Sequence, residues 1–221
     1  KLGTRMQIAD TEYIYASSGE AVVAGQLMEA NALIDTDDDD LVVATTGSVG
    51  GTTVGITFGA AVTLNEYADG LLFSNKDAST ALGWRYRIKS HPAGTTNVTV
   101  TIDHEDGFVT EVLAGTAIAG TFKSFYEGVL QSNTTPLGPA IGVTVSDIAS
   151  ASYGWLPVKG PGICLIQGTP AAGTGLMRSD ATAGAMEVLG EGSAAIWGAL
   201  GQLGRTAGVN GEYHSVFLNI A

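Results

Sequence analysis

The chain has 221 residues, 45% of them hydrophobic and only 14% charged, with 31 glycines and a formal net charge of -12. That length suffices for one large domain or two small ones with an ordinary core, and a glycine content far above the usual ~7% suits many short strands joined by tight turns. The acidic balance argues against a nucleic-acid binder, whose affinity comes from Lys and Arg on phosphates, and a single cysteine, Cys164, excludes both an intrachain disulfide and a cysteine metal cluster.

No apolar run reaches the roughly 18 to 20 residues of a membrane span, and no charged-then-apolar leader opens the chain, so a soluble protein without membrane contact is expected. The start at Lys1 without Met predicts that residues precede it or have been removed.

Taken in chain order, the elements read as strands. TEYIYA (11–16) is the first, and LVVAT (41–45) follows the acidic run DTDDDD (35–40). TTVGITF sets Val54, Ile56 and Phe58 against Thr53, Gly55 and Thr57, the alternation of a half-buried strand. DGLLFSN (69–75) is similar. WRYRIK places Trp84, Tyr86 and Ile88 on one face and Arg85, Arg87 and Lys89 on the other, and NVTVTID alternates Val98, Val100 and Ile102 with Thr99, Thr101 and Asp103. Paired as a hairpin through SHPAGTTN, these strands set Arg85 and Arg87 on the face of Asp103 and Glu105, so the basic stripe reads as a charge-balanced wet face. TFKSFYEGVLQS (121–132) carries Phe122, Phe125, Tyr126, Val129 and Leu130 at helical spacing, with Gly128 against it. AIGVTVSDI (140–148) and HSVFLNI (214–220) complete the strands. The fold class is all-β, with little helix.

GEAVVAGQLMEANA, from Gly19, and GTPAAGTGLMRSDA, from Gly168, share a frame of glycine, small apolar residues, glycine, Leu-Met, a charged residue and a later Ala. Read as a structural repeat, the echo joins 1–47 and 140–221 as one β domain, with TGSVGGTT and NTTPLGPA bracketing an inserted β unit over 48–139.

Chemistry is sparse. His91, His104 and His214 have no zinc-site spacing, and HED (104–106) lies on a strand end, where successive side chains point to opposite faces. DTDDDD lacks the alternate ligands, central Gly and terminal Glu of a calcium loop, and reads as a solvated acidic turn. Neither GPGICLIQG nor GTTVGITFG opens a helix as a phosphate-binding loop does, and no nucleophile elbow occurs. Cys164 in GICLI is expected to be a buried, inert thiol. The sequence therefore predicts no catalytic residue, cofactor or metal, and no enzyme. Tyr153 and Trp155 share a face in YGWLPVKGPG, with Pro157 suiting an edge strand; they read either as interface anchors or as core.

KLGTRMQIADTEYIYASSGEAVVAGQLM, GWRYRIKSHP, YGWLPVKGPG and GALGQLGRTAGVNGEYHSVFLNI together resemble structural proteins of tailed-bacteriophage virions, most of all the decoration or cement proteins of the capsid exterior. The resemblance covers most of the chain. It implies a β-barrel or sandwich, tulip-like, with an inserted second β unit; a homotrimer bound to the major capsid protein on the outer surface of the virion; and no nucleic acid. It also implies an N-terminal segment that reaches neighbouring subunits, so Lys1, Leu2, Arg5 and Met6 become contact residues beside Tyr153 and Trp155. KLGTRMQ then reads either as an arm for strand addition or as an ordinary first strand. Two rival readings stand: a tail, head-fibre or adhesin module whose inserted unit recognises a host glycan, and a hydrolase using Asp103, Glu105 and Asp106.

Overall fold

The computed structural model describes residues 1–32, 38–77, 82–112, 114–115, 117–190, 198–204 and 206–220. Among them are strands and no helix. The first three strands are β1 (Arg5–Ile8), β2 (Thr11–Ser17) and β3 (Leu27–Glu29). Next come β4 (Leu41–Thr45), β5 (Thr53–Thr57), β6 (Leu71–Asp77), β7 (Arg85–Ser90), β8 (Val98–Ile102) and β9 (Ala117–Phe122). The rest are β10 (Leu130–Gln131), β11 (Ala140–Val143), β12 (Tyr153–Ile166), β13 (Gly175–Arg178), β14 (Ala185–Val188), β15 (Gly201–Leu203) and β16 (Tyr213–Asn219).

The strands form two units, a discontinuous one of Lys1–Ala32 with Phe125–Ala221 and an inserted one of Leu33–Ser124. The boundaries at 48 and 139 suggested by the glycine-rich stretches are therefore corrected. β4 belongs to the inserted unit because it pairs with β5 and β9, and β10 belongs to the discontinuous one because it pairs with β3. TGSVGGTT is a turn inside the inserted unit, bridged at Gly47–Val112 and Val49–Phe108, and is no linker. The helical reading of 121–132 also fails: Phe122 ends β9, Leu130 starts β10, and Gly128 between them sits at a left-handed φ of 60°.

The inserted unit is a closed antiparallel barrel in the order β4-β5-β8-β7-β6-β9. Closure leaves no open edge and an interior that side chains fill. The alternating residues do so: Val54, Ile56, Tyr86, Ile88, Val98, Val100 and Ile102 are all buried, with Phe108 plugging the core. Arg85, Arg87 and Lys89 point outward as expected, and Arg87 pairs with Asp69 at 3.2 Å, while its carbonyl accepts the Asp103 N–H at 2.7 Å. Asp35 and Asp37 of the acidic run lie outside the described residues. Asp38 is not solvated: it is buried and accepts the Tyr67 hydroxyl.

In the discontinuous unit one sheet runs β1-β2-β12-β14-β13-β15-β16, and the further pairing of β12 with β16 closes β12, β14, β13, β15 and β16 into a ring. The 14-residue β12 organises it. Its first half pairs with β2 and its second with β16, on opposite edges, since Lys159 meets both Glu12 and Asn219. The strand survives Pro161 because ladder groups alternate sides. Ile166 N–H bonds toward β16, at Glu212 O, whereas Leu165 N–H bonds away from it, at Gly25 O. By the same alternation the missing N–H of Pro161 faces away from β16, where β2 has ended and β14 has not begun, so no ladder bond is lost. β3, β10 and β11 form a small sheet packed on β12, and Gly142 permits the approach: a Cβ there would stand 2.8 Å from Leu156 Cβ.

The sequence echo falls on β3 and β13. In both copies a left-handed glycine, Gly25 (φ 78°) or Gly173 (φ 77°), turns the chain into a strand whose Leu-Met pair is fully buried. The charged position of one copy meets that of the other. Arg178 Nη1 stands 2.9 Å from Glu29 Oε2, with the two side chains 4% and 0% exposed. Arg178 Nη2 donates to Gly138 O at 2.9 Å, and Leu137 N–H donates to Glu29 Oε1 at 3.3 Å. Burial pushes the Glu29 carboxyl up from its ordinary value and Arg178 pulls it back, with a net upward shift; burial likewise lowers Arg178. The folded chain thus holds this proton to higher pH than the unfolded chain does, so the carboxyl's contribution to stability falls as pH rises through the window above 4.5.

Breaking a buried ion pair on one side strands a charge, whereas replacing both partners by apolar groups is often neutral or better. Arg178→Met is expected to destabilise the protein by about 3–5 kcal/mol, and adding Glu29→Leu to restore most of that loss, both read by chemical denaturation. Cys164 is fully buried and burial pushes its thiol up to about 12. In the native state at pH 8 it should not react with a thiol reagent, and one equivalent should react on unfolding.

Candidate functional site

Residues directly opposite in an antiparallel pair share a face of the sheet, so the register of β1, β2 and β12 fixes what its outer side displays. Met6 and Tyr13 form one row with the buried Pro157, Tyr15 and Trp155 the next, and Ser17 and Tyr153 the third. Ile14, Ala16, Leu156 and Val158 take the inner side and are buried. The outer rings touch: Tyr15 and Tyr153 lie nearly parallel with centroids 5.7 Å apart, and Tyr15 and Trp155 are tilted at 5.0 Å. Tyr153 is 61% exposed, while Tyr15 and Trp155 are half-buried. A Trp packed by a neighbouring ring yet still reached by solvent lies between the core and anchor readings, with one side tied down and one side open.

The sequence candidates divide at this face. Met6, Tyr153 and Trp155 stand on it. Arg5 lies opposite Ile14 and so points to the other side, where it pairs with Glu12; that carboxylate holds the Arg5 guanidinium above its ordinary value. Lys1 and Leu2 precede β1 in a turn closed by Thr4 N–H to Lys1 O, at 3.2 Å. Within the chain, Arg5–Ile8 of KLGTRMQ is a first strand paired to β2. Gly3 explains it: at φ 75° it turns the chain under the Tyr126 ring, which a Cβ would strike at 2.6 Å. Tyr13 and Tyr15 were missed as candidates although TEYIYA shows them at alternate positions, because nothing in the sequence told which face would be covered. β1 is the terminal strand of the sheet and Arg5, Gln7 and Ile8 are exposed.

Two of the three histidines are engaged structurally. His91 is buried, accepting Tyr67 N–H at 3.0 Å through Nε2, and His214 Nε2 accepts Val209 N–H at 3.0 Å. His104 meets the edge of Tyr86 at 6.2 Å, and Glu105 and Asp106 are exposed beside it. No group of three or more His, Cys, Asp or Glu among the described residues is placed to hold a metal ion. No family model matches the chain, and no curated protein or solved structure is significantly similar to it.

Tyr15 holds the rings together, so Tyr15→Ala removes both ring contacts and should cost about 1–3 kcal/mol. Tyr153→Ala, at an open position, should cost less than about 1 kcal/mol, both by thermal denaturation.

Proposed function

We propose that this chain is a non-enzymatic structural protein of a tailed-phage virion, which binds the outer surface of the assembled capsid lattice and stabilises it. Its partner is the major capsid protein and its form on the lattice a homotrimer. The observation that supports this reading is the partly exposed Met6–Tyr13–Tyr15–Trp155–Tyr153 face, built on β1, β2 and β12 of one sheet. Aromatic side chains with limited rotamer freedom are suited to anchor an interface, and a sheet holds them in fixed positions. The net charge of -12 suits a protein packed in many copies on a particle exterior, away from packaged DNA. Cementing needs no reacting group: a protein that binds the assembled lattice and not free subunits stabilises the lattice by linkage, more so as occupancy rises.

The test is binding to expanded, DNA-free shells of the parent phage, with particle melting followed alongside. Saturable binding at a fixed copy number, a raised melting temperature, and loss of both in Tyr153→Ala/Trp155→Ala support the proposal. Absence of shell binding, or attachment to host cells in its place, contradicts it.

A further inference from the structure

On the second half of β12, beyond the point where it leaves β2, the discontinuous unit carries a trough of about 500 Å³. Gly25 and Gly162 form its floor, and Val23, Val145, Ile163 and Tyr213 its walls. The four walls are between 48% and 57% exposed, so they present apolar surface without a cover among the described residues. The trough is pre-formed. Tyr213 lies against Gly25, where a Cβ would stand 2.5 Å from the ring, and Gly25 is held at φ 78°. The single charged residue of the lining is Asp147, whose Oδ1 accepts Ala24 N–H at 3.0 Å, which fixes the carboxylate at the rim.

We propose that this trough binds an extended peptide segment carrying apolar side chains and a Lys or Arg set against Asp147. A volume of this size is in the range of pre-formed ligand sites, which are mostly apolar with a few polar groups that fix orientation. Charge selects the segment. One carboxylate in an otherwise uncharged lining, on a chain of net charge -12, attracts a basic segment and repels an acidic one. A second copy fits poorly, because four half-exposed side chains fall short of the roughly 800 Å² per partner of a stable interface. The inference does not rest on the virion reading, since it concerns a different surface and asks for no capsid.

A library of random linear dodecapeptides, displayed and panned against the intact protein, tests it, with folded Ile163→Asp as counter-target. The enriched sequences should pair apolar residues with a Lys or Arg, and a synthetic peptide of that sequence should bind Ile163→Asp about tenfold or more weakly. Asp147→Asn keeps an oxygen for Ala24 N–H but loses the charge; it should weaken binding by about two- to fivefold. No enrichment, acidic winners, or equal binding to the Ile163→Asp protein overturns the proposal.

Discussion

The discontinuous unit depends on one constraint, that β12 stays a single strand across its 14 residues while its partners change. At about 3.3 Å per residue such a strand is roughly 46 Å long, more than any other strand of the unit could match. Its solution is to take β2 on one edge for the first half and β16 on the other for the second, with Lys159 at the crossover. Parity does the rest. Tyr153, Trp155, Lys159, Pro161 and Ile163 keep to the outer side along the strand, so the aromatic rows and the apolar trough are displayed by the same backbone, and Leu156, Val158, Cys164 and Ile166 fill the core.

Around that strand the interior is not purely apolar. Glu29, Arg178, Ser179 and Glu187 are buried together, with Ser179 Oγ donating to Glu187 Oε2 at 2.9 Å and accepting Thr182 N–H at 3.0 Å. Such groups contribute little net stability, because desolvation offsets the Coulombic attraction, but a misplaced register leaves them unpaired at several kcal/mol. The pair links β3 to β13, strands from the two separated segments of the unit. It therefore marks where the chain, after the excursion through the inserted barrel, must rejoin itself.

The all-β class was legible because alternation at TTVGITF, WRYRIK and NVTVTID is strong; it named Val54, Ile56, Phe58, Tyr86, Ile88, Val98, Val100 and Ile102 of the barrel core, but Trp84, set on the same face, is 40% exposed. The repeat frame marked the two Leu-Met segments but neither their strand character nor their partnership, since no local pattern says that position 29 will meet position 178. Domain limits were misread for a physical reason: TGSVGGTT has the composition of a linker, yet Gly47 packs against the Phe108 ring and Gly50 turns the chain at φ 76°. The continuity of β12 was hidden by Gly160 and Pro161: Gly160 holds a φ of 95° against the Asp10 carbonyl, and Pro161 is tolerated because of the edge its nitrogen faces. Buried Asp38 left no signal, because its partner Tyr67 lies 29 residues away in a turn. Of the surface residues, Tyr153 and Trp155 were visible as a pair; Tyr13 and Tyr15 needed the register.

One strand carries two surfaces, an aromatic face beside the edge strand β1 and a trough with one carboxylate beside β16. Neither depends on a reacting group, and both depend on β12 behaving as one rigid element. Native-state hydrogen exchange of the free protein measures that directly. The account predicts that amides of the β2-paired and β16-paired halves of β12 share one high opening free energy, with β1 opening below it. If the half paired with β2 opened independently at much lower free energy, β12 would be two short strands that meet, and the claim of a common scaffold would fail.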